Sequence, residues 1–215
     1  MERPGREAVV LIHGLFLSGY EMGFLHFQLS HAGYLPRRFR YHSVRSSPAS
    51  VAQELRRVVQ EFDAGEIHFV CHSLGGLIIR HYFSLFEDLR HGRVVTLGTP
   101  HQGSGVARYL STFTLGQTVL GESDRNGVSG DVPAWNGACE LGSIAGTLSM
   151  GLGRMITELS KPNDGTVAVA ETHLQGAKDH IALRVSHLGM LVSRQVAMQV
   201  IHFLQQGRFA HTPRI

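Results

Sequence analysis

Short runs of apolar and β-branched residues alternate along this chain with longer segments of helical spacing, and no other feature constrains the fold as strongly. The pattern is that of parallel strands joined by crossover helices, which cover both faces of one sheet. Val9 to His13, Phe39 to Tyr41, Ile67 to Cys71, Val94 to Leu97, Ser143 to Gly146 and Ile181 to Val185 read as six strands. Met22, Leu25 and Leu29 mark a helix over Glu21 to Ala32 that Gly33 closes. Val51, Leu55, Val58, Val59 and Phe62 mark a second helix, capped by Ser47-Pro48 and ending before Gly65. A third runs from Leu77 to Leu85 with a broad apolar face, and Leu191 to Gln206, stopped by Gly207, closes the chain. The expected class is α/β. At 215 residues and 43% hydrophobic, the chain can bury a sizeable core and is expected to form one domain over 1–215. From His101 to about 140 the alternation fails and glycine recurs from Gly103 to Gly137. This stretch reads as an insertion above the sheet. Tyr109, Leu110, Phe113, Leu115, Val119, Leu120 and Trp135 make it either a small lid or an apolar binding wall, or an ordinary packed helix and loop.

Charge and cysteine content narrow the function classes. Twenty basic and 17 acidic residues leave a net charge of +3, scattered and almost all arginine, with no basic face that would track a phosphate backbone. Nucleic acid is not an expected partner. Cys71 and Cys139 stand far apart outside any paired motif, which excludes a disulfide framework. No apolar stretch approaches the roughly 20 residues a membrane span needs, and no secretory apolar region precedes Ala8. A cytoplasmic location without an integral membrane segment is the expectation. Fourteen histidines invite a metal reading. His68 and His72 stand four apart, but on a strand, and neither a paired-histidine helix motif nor a Cys/His zinc pattern is present, so no metal is expected.

The chemistry concentrates where the third strand meets its helix, at Val70-Cys71-His72-Ser73-Leu74-Gly75-Gly76. A serine in so tight a strand-to-helix turn needs small flanking residues, as in the pattern G-x-S-x-G. Cys71 replaces the first glycine and is small enough to serve there. Ser73 would then project from the sheet top at the positive end of a helix. A serine that merely caps the helix would not need both glycines. Such a nucleophile requires a base and a group to orient it. Asp164, in the turn Pro162-Asn163-Asp164-Gly165, and His187, in Ser186-His187-Leu188-Gly189, follow in that chain order. Backbone amides of Leu74 and of Leu15, in His13-Gly14-Leu15-Phe16, are the candidate donors to an oxyanion. His13 is expected to prop that loop and His101 to brace the loops around the site. Phe16, Leu188 and Met190 are the expected apolar lining.

Together with Gly98-Thr99-Pro100-His101-Gln102-Gly103-Ser104, these segments resemble the α/β-hydrolase superfamily, and within it the bacterial triacylglycerol lipase and esterase group. The resemblance runs from about residue 8 to 207. It implies a minimal α/β-hydrolase fold with a short lid-like insertion, a Ser73, Asp164 and His187 triad, and an acyl-enzyme route. Short- to medium-chain acyl esters or lipids are the implied small-molecule substrates. No acidic residue follows His187 closely, so the calcium site of larger lipases is not carried over, and no cofactor is expected. The same triad could serve a thioesterase, amidase, phospholipase or acyltransferase. A non-catalytic hydrolase-fold interaction module is the alternative of another class.

Overall fold

Along the first strand, Ala8, Val10 and Ile12 point to one side and Val9 and Leu11 to the other, and all five are buried. A strand apolar on both faces must lie inside a sheet covered on both sides. The computed structural model describes residues 7–87, 91–105, 132–150 and 159–211. Its six strands are β1 (Ala8–Ile12), β2 (Leu35–Phe39), β3 (Ile67–His72), β4 (His91–Leu97), β5 (Leu141–Gly146) and β6 (Asp179–Leu183). They form one sheet in the order β2-β1-β3-β4-β5-β6, parallel throughout.

The helices among the described residues divide between the two faces. Helices α2 (Pro48–Gln60) and α3 (Leu74–Leu85) pack through Val51, Leu55, Leu77 and Ile78 onto Val10, Ile12, Phe69 and Cys71. On the other face, α1 (Gly23–His31) and α4 (Arg194–Gln206) bring Leu25, Leu29, Val200 and Phe203 against Val9, Leu11, Val70 and Val95. Odd and even positions of each strand therefore feed separate cores. As the sequence predicts, Ser47 caps α2, its Oγ accepting from the Ser50 N–H at 3.3 Å, with Pro48 in the first turn. Gly207 ends α4 in the left-handed region at φ 69°.

Three expectations shift. The second strand is Leu35–Phe39, which pairs residue for residue with Ala8–Ile12, and not Phe39 to Tyr41. It is an edge strand whose Arg37 and Arg38 face solvent and whose Pro36 costs little, so its apolar signal is weak. The last helix does not start at Leu191. A 3₁₀ turn over Gly189–Val192 is followed by Ser193 in an extended conformation, and the Ser193 Oγ accepts from the Val196 N–H to start α4. A 3₁₀ turn over Tyr20–Met22 likewise precedes α1. Residues 106–131, most of the expected insertion or lid, lie outside the described residues. Of the apolar residues noted there, Trp135 is described: it is buried and meets Phe83 edge-on, centroids 5.1 Å apart, within the α2/α3 core. Among the described residues, no helix is long and apolar enough to cross a membrane.

Candidate active site

The connection out of β1 runs to β2 on one side and the connection out of β3 runs to β4 on the other, so a crevice opens at the carboxyl ends of β1 and β3. Gly14 follows β1 and Ser73 follows β3. Ser73 sits at φ 52°, a strained conformation for a residue with a side chain, and makes no capping bond to α3. The turn is held by its backbone: the Ser73 N–H donates to the Leu97 carbonyl at 2.9 Å, and the Ser73 carbonyl accepts from Thr99 Oγ1 at 2.9 Å and the Gly76 N–H at 3.0 Å. A Cβ on Gly75 would stand 2.6 Å from the Ile12 carbonyl oxygen, and one on Gly76 would collide with the Thr99 side chain. Both glycines are thus required for α3 to start against the neighbouring strand ends. Cys71 is fully buried, and burial pushes its thiol well above the ordinary range, so it is a packing residue.

Asp164 is completely buried, yet every oxygen is used. Its Oδ1 accepts from the Thr166 and Val167 N–H groups at 2.9 and 2.7 Å, and its Oδ2 lies 2.7 Å from His187 Nδ1. The His187 N–H also donates to the Asp164 carbonyl at 2.9 Å. Because the carboxylate accepts, Nδ1 carries the hydrogen, and in the neutral ring Nε2 is left with the lone pair. Gly98, at φ 56°, closes this pair from the side of β4: a Cβ there would lie 3.0 Å from both Asp164 Oδ2 and His187 Nδ1. The His187 ring stands beside that of His72, centroids 4.7 Å apart, and His72 Nε2 donates to the His187 carbonyl at 3.1 Å. Burial, reinforced by the neighbouring His187, holds His72 well below the usual histidine range, so it is neutral. The residue preceding Ser73 is therefore bonded directly to the residue carrying the free Nε2.

The loop after β1 completes the crevice. A Cβ on Gly14 would come within 2.9 Å of both Ser73 Cβ and His72 Nδ1. His13 is buried, stacks on Tyr41 at 4.2 Å, donates from Nδ1 to the Gly14 carbonyl at 2.9 Å, and is kept below its ordinary pKa by burial. Its own carbonyl accepts from the Tyr41 hydroxyl at 2.7 Å. Phe16 adopts φ 61°, and its N–H donates to Ser43 Oγ at 3.1 Å. Between them, the Leu15 N–H has no acceptor among the described residues. As the first residue of α3, Leu74 also lacks an intrahelical acceptor.

Of the expected lining residues, Phe16 is 59% and Leu188 61% exposed, but Met190 is fully buried in the α1/α4 core. Met190 supports the His187 loop from beneath and offers no surface to a ligand. His101 is buried behind β4, where its Nε2 is hydrogen-bonded to Thr96 Oγ1 at 3.1 Å and its carbonyl accepts from Arg80 at 2.8 Å. Glu7, Glu66 and His68 converge within 4.8 Å, the one cluster of metal-binding type among the described residues. His68 Nδ1 accepts from the Arg93 N–H at 2.7 Å, which puts the ring hydrogen on Nε2, facing Glu7 at 3.2 Å. No lone pair of that imidazole remains for an ion. Gly98 and Thr99 belong to the segment that carries the family resemblance but have no site role assigned from the sequence, and Tyr41 and Ser43 lie in no motif.

The arrangement offers a hydroxyl on a strained turn, an imidazole oriented by a buried carboxylate, and amides with no partner of their own. Residues 9–193 match the model of the alpha/beta hydrolase family. A Bacillus licheniformis lipase, BlEst2 in mature form, superposes with a TM-score of 0.76 at 19% identity, over 95% of this chain and 93% of that one. The metagenomic carboxyl esterase MGS0156 does so with a TM-score of 0.73 at 17% identity, over 96% and 77%. A bromoperoxidase from Bacillus anthracis gives 0.65 at 13% identity, over 94% and 92%. At these identities the likeness shows the fold. No curated protein matches the sequence.

Proposed function

The chain belongs to the alpha/beta hydrolase family, and from that premise we propose that it is a serine carboxylic-ester hydrolase with Ser73, His187 and Asp164 as its catalytic triad. The observation that carries this reading is the buried 2.7 Å bond between Asp164 and His187, set beside a serine held at φ 52°. His187 Nε2 takes the Ser73 proton as Oγ attacks the ester carbonyl, and Asp164 stabilises the imidazolium that forms. The Leu15 and Leu74 amides receive the developing oxyanion. The tetrahedral intermediate collapses to an acyl-Ser73 ester as His187 protonates the leaving alcohol. Water, deprotonated by the same Nε2, then attacks the acyl-enzyme, and the acid departs with Ser73 regenerated. Every step uses side chains and amides of this chain, without a metal or cofactor.

Among acyl donors we choose esters, because two of the similar structures are a lipase and a carboxyl esterase. The exposed Phe16 and Leu188 beside the triad suit an apolar acyl chain. p-Nitrophenyl esters of increasing acyl length test the proposal. The wild type should hydrolyse them with a length optimum, and Ser73→Ala should lower kcat by about 10³-fold or more with unfolding unchanged. Retained turnover in Ser73→Ala would overturn it.

A further inference from the structure

A second cavity opens directly beside the proposed site. It has a volume of about 680 Å³ and lies between the loop after β1 and the loop after β2, with Phe16, Arg40, His42, Ser43, Arg45 and Glu54 in its wall. That is the size of a small-molecule pocket. We propose that this cavity is a subsite for an anionic group, a carboxylate or phosphate, carried by the ester substrate. The inference rests on the reading of Ser73 as the nucleophile and adds to it a substrate class.

Proximity follows from the chain. The Cβ position of Gly14 is 2.9 Å from Ser73 Cβ, and Phe16, in the cavity wall, is two residues further on. Two residues span at most about 7.6 Å between Cα atoms. The two walls are joined: the Phe16 N–H donates to Ser43 Oγ at 3.1 Å, and Phe16 keeps its positive φ there. The cavity wall is therefore continuous with the segment that carries the Leu15 amide.

The preference for an anion follows from charge. Two arginines, Arg40 and Arg45, and one acidic residue, Glu54, line the wall, and among the described residues neither arginine has a carboxylate within 4 Å. Arg40 is held in place without being neutralised: its guanidinium lies over the Tyr20 ring, 4.8 Å from the centroid. The Arg45 backbone is tied to the His42 carbonyl by a 3.2 Å hydrogen bond. Planar guanidinium groups offer paired donors that match carboxylate and phosphate oxygens. The hydroxyl of Ser43 adds a neutral partner, whereas Ser18 Oγ, also in the wall, donates to the Glu21 carboxylate at 3.1 Å.

Matched substrate pairs test this with the whole protein. One pair, p-nitrophenyl hydrogen glutarate and p-nitrophenyl valerate, places the charge on the acyl side. The other, the butyryl esters of glycerol 3-phosphate and of glycerol, places it on the alcohol side. The wild type should favour the anionic member of one pair by about tenfold or more in kcat/KM, the scale of one charge-assisted hydrogen bond, and that pair identifies the side. The ratio should fall toward one in Arg40→Gln with Arg45→Gln, and should shrink with added salt. Neutral esters turned over with ratios near one in both pairs, or a preference unmoved by the double variant, would overturn the subsite and leave the triad standing. No turnover of any of the four esters would overturn the triad reading, and the subsite with it.

Discussion

His101 offers the sharpest test of how the strand end behind the site is held. Its imidazole is 6% exposed and bonded to Thr96 Oγ1 at 3.1 Å. Burial, then the nearby Arg80, then His180 push its pKa down from 6.5 to about 3. In the unfolded chain the ring takes up a proton below pH 6.5, whereas the folded protein stays unprotonated until about pH 3. The unfolded state therefore binds more protons across that window, and stability is lost as pH falls through it. Between pH 7 and pH 5 the loss from this one group is about 2 kcal/mol, and by pH 3 about 4 kcal/mol. His101→Gln keeps a polar partner for Thr96 and removes the titration. His13, His68 and His72, also buried, are depressed in the same direction and contribute alike in both proteins, so they cancel in the difference, and His180, held at about 4, takes up little charge above pH 5. Urea unfolding of both proteins at pH 7 and pH 5 should show the variant gaining about 2 kcal/mol on the wild type at the lower pH. Stability curves that stay parallel over that range would refute the reasoning.

Two further outcomes follow from the site geometry. Gly98→Ala places a Cβ 3.0 Å from Asp164 Oδ2 and His187 Nδ1 on a backbone at φ 56°, so kcat on a p-nitrophenyl ester should fall about 10- to 100-fold. Urea unfolding should register about 1–2 kcal/mol for the left-handed residue, and unimpaired kcat would mean that the pair tolerates displacement. His72→Phe removes the donor to the His187 carbonyl and should lower kcat, with His72→Gln recovering part of it; equal rates in both variants would deny that bond a part in placing the imidazole.

How much of this was legible beforehand depends on what each residue had to signal. The first and third strands are buried on both faces, so five consecutive apolar residues announce the first, and Ile67 with Phe69-Val70-Cys71 the third. The second strand lies at the edge, where Arg37 and Arg38 are in solvent, and its neighbour Tyr41 drew attention because it is buried as a partner of His13. Apolar spacing ran unbroken from Leu191 into α4 because Leu191 is buried in its own right, which hid the break at Ser193. Within the candidate site, Ser73, Asp164 and His187 stood out because each lies in a short motif of its own. The positions that hold them carry no such role in the sequence, although Gly98 and Thr99 lie in the segment that bears the family resemblance. Gly98 acts by lacking a side chain against a pair assembled from distant segments, and Thr99 and Ser43 act through single hydrogen bonds that no spacing encodes. Met190 looked like lining from its closeness to His187 in sequence, whereas the turn after Leu188 sends it into the core.

The central claim is that Ser73 is a nucleophile activated by the His187 and Asp164 pair. Covalent labelling with a fluorophosphonate, read by peptide mass mapping, addresses it most directly. The account predicts a single adduct on Ser73 in the folded protein, lost in urea and lost in His187→Gln. A folded protein that stays unlabelled, or one whose adduct forms on another residue, would contradict it.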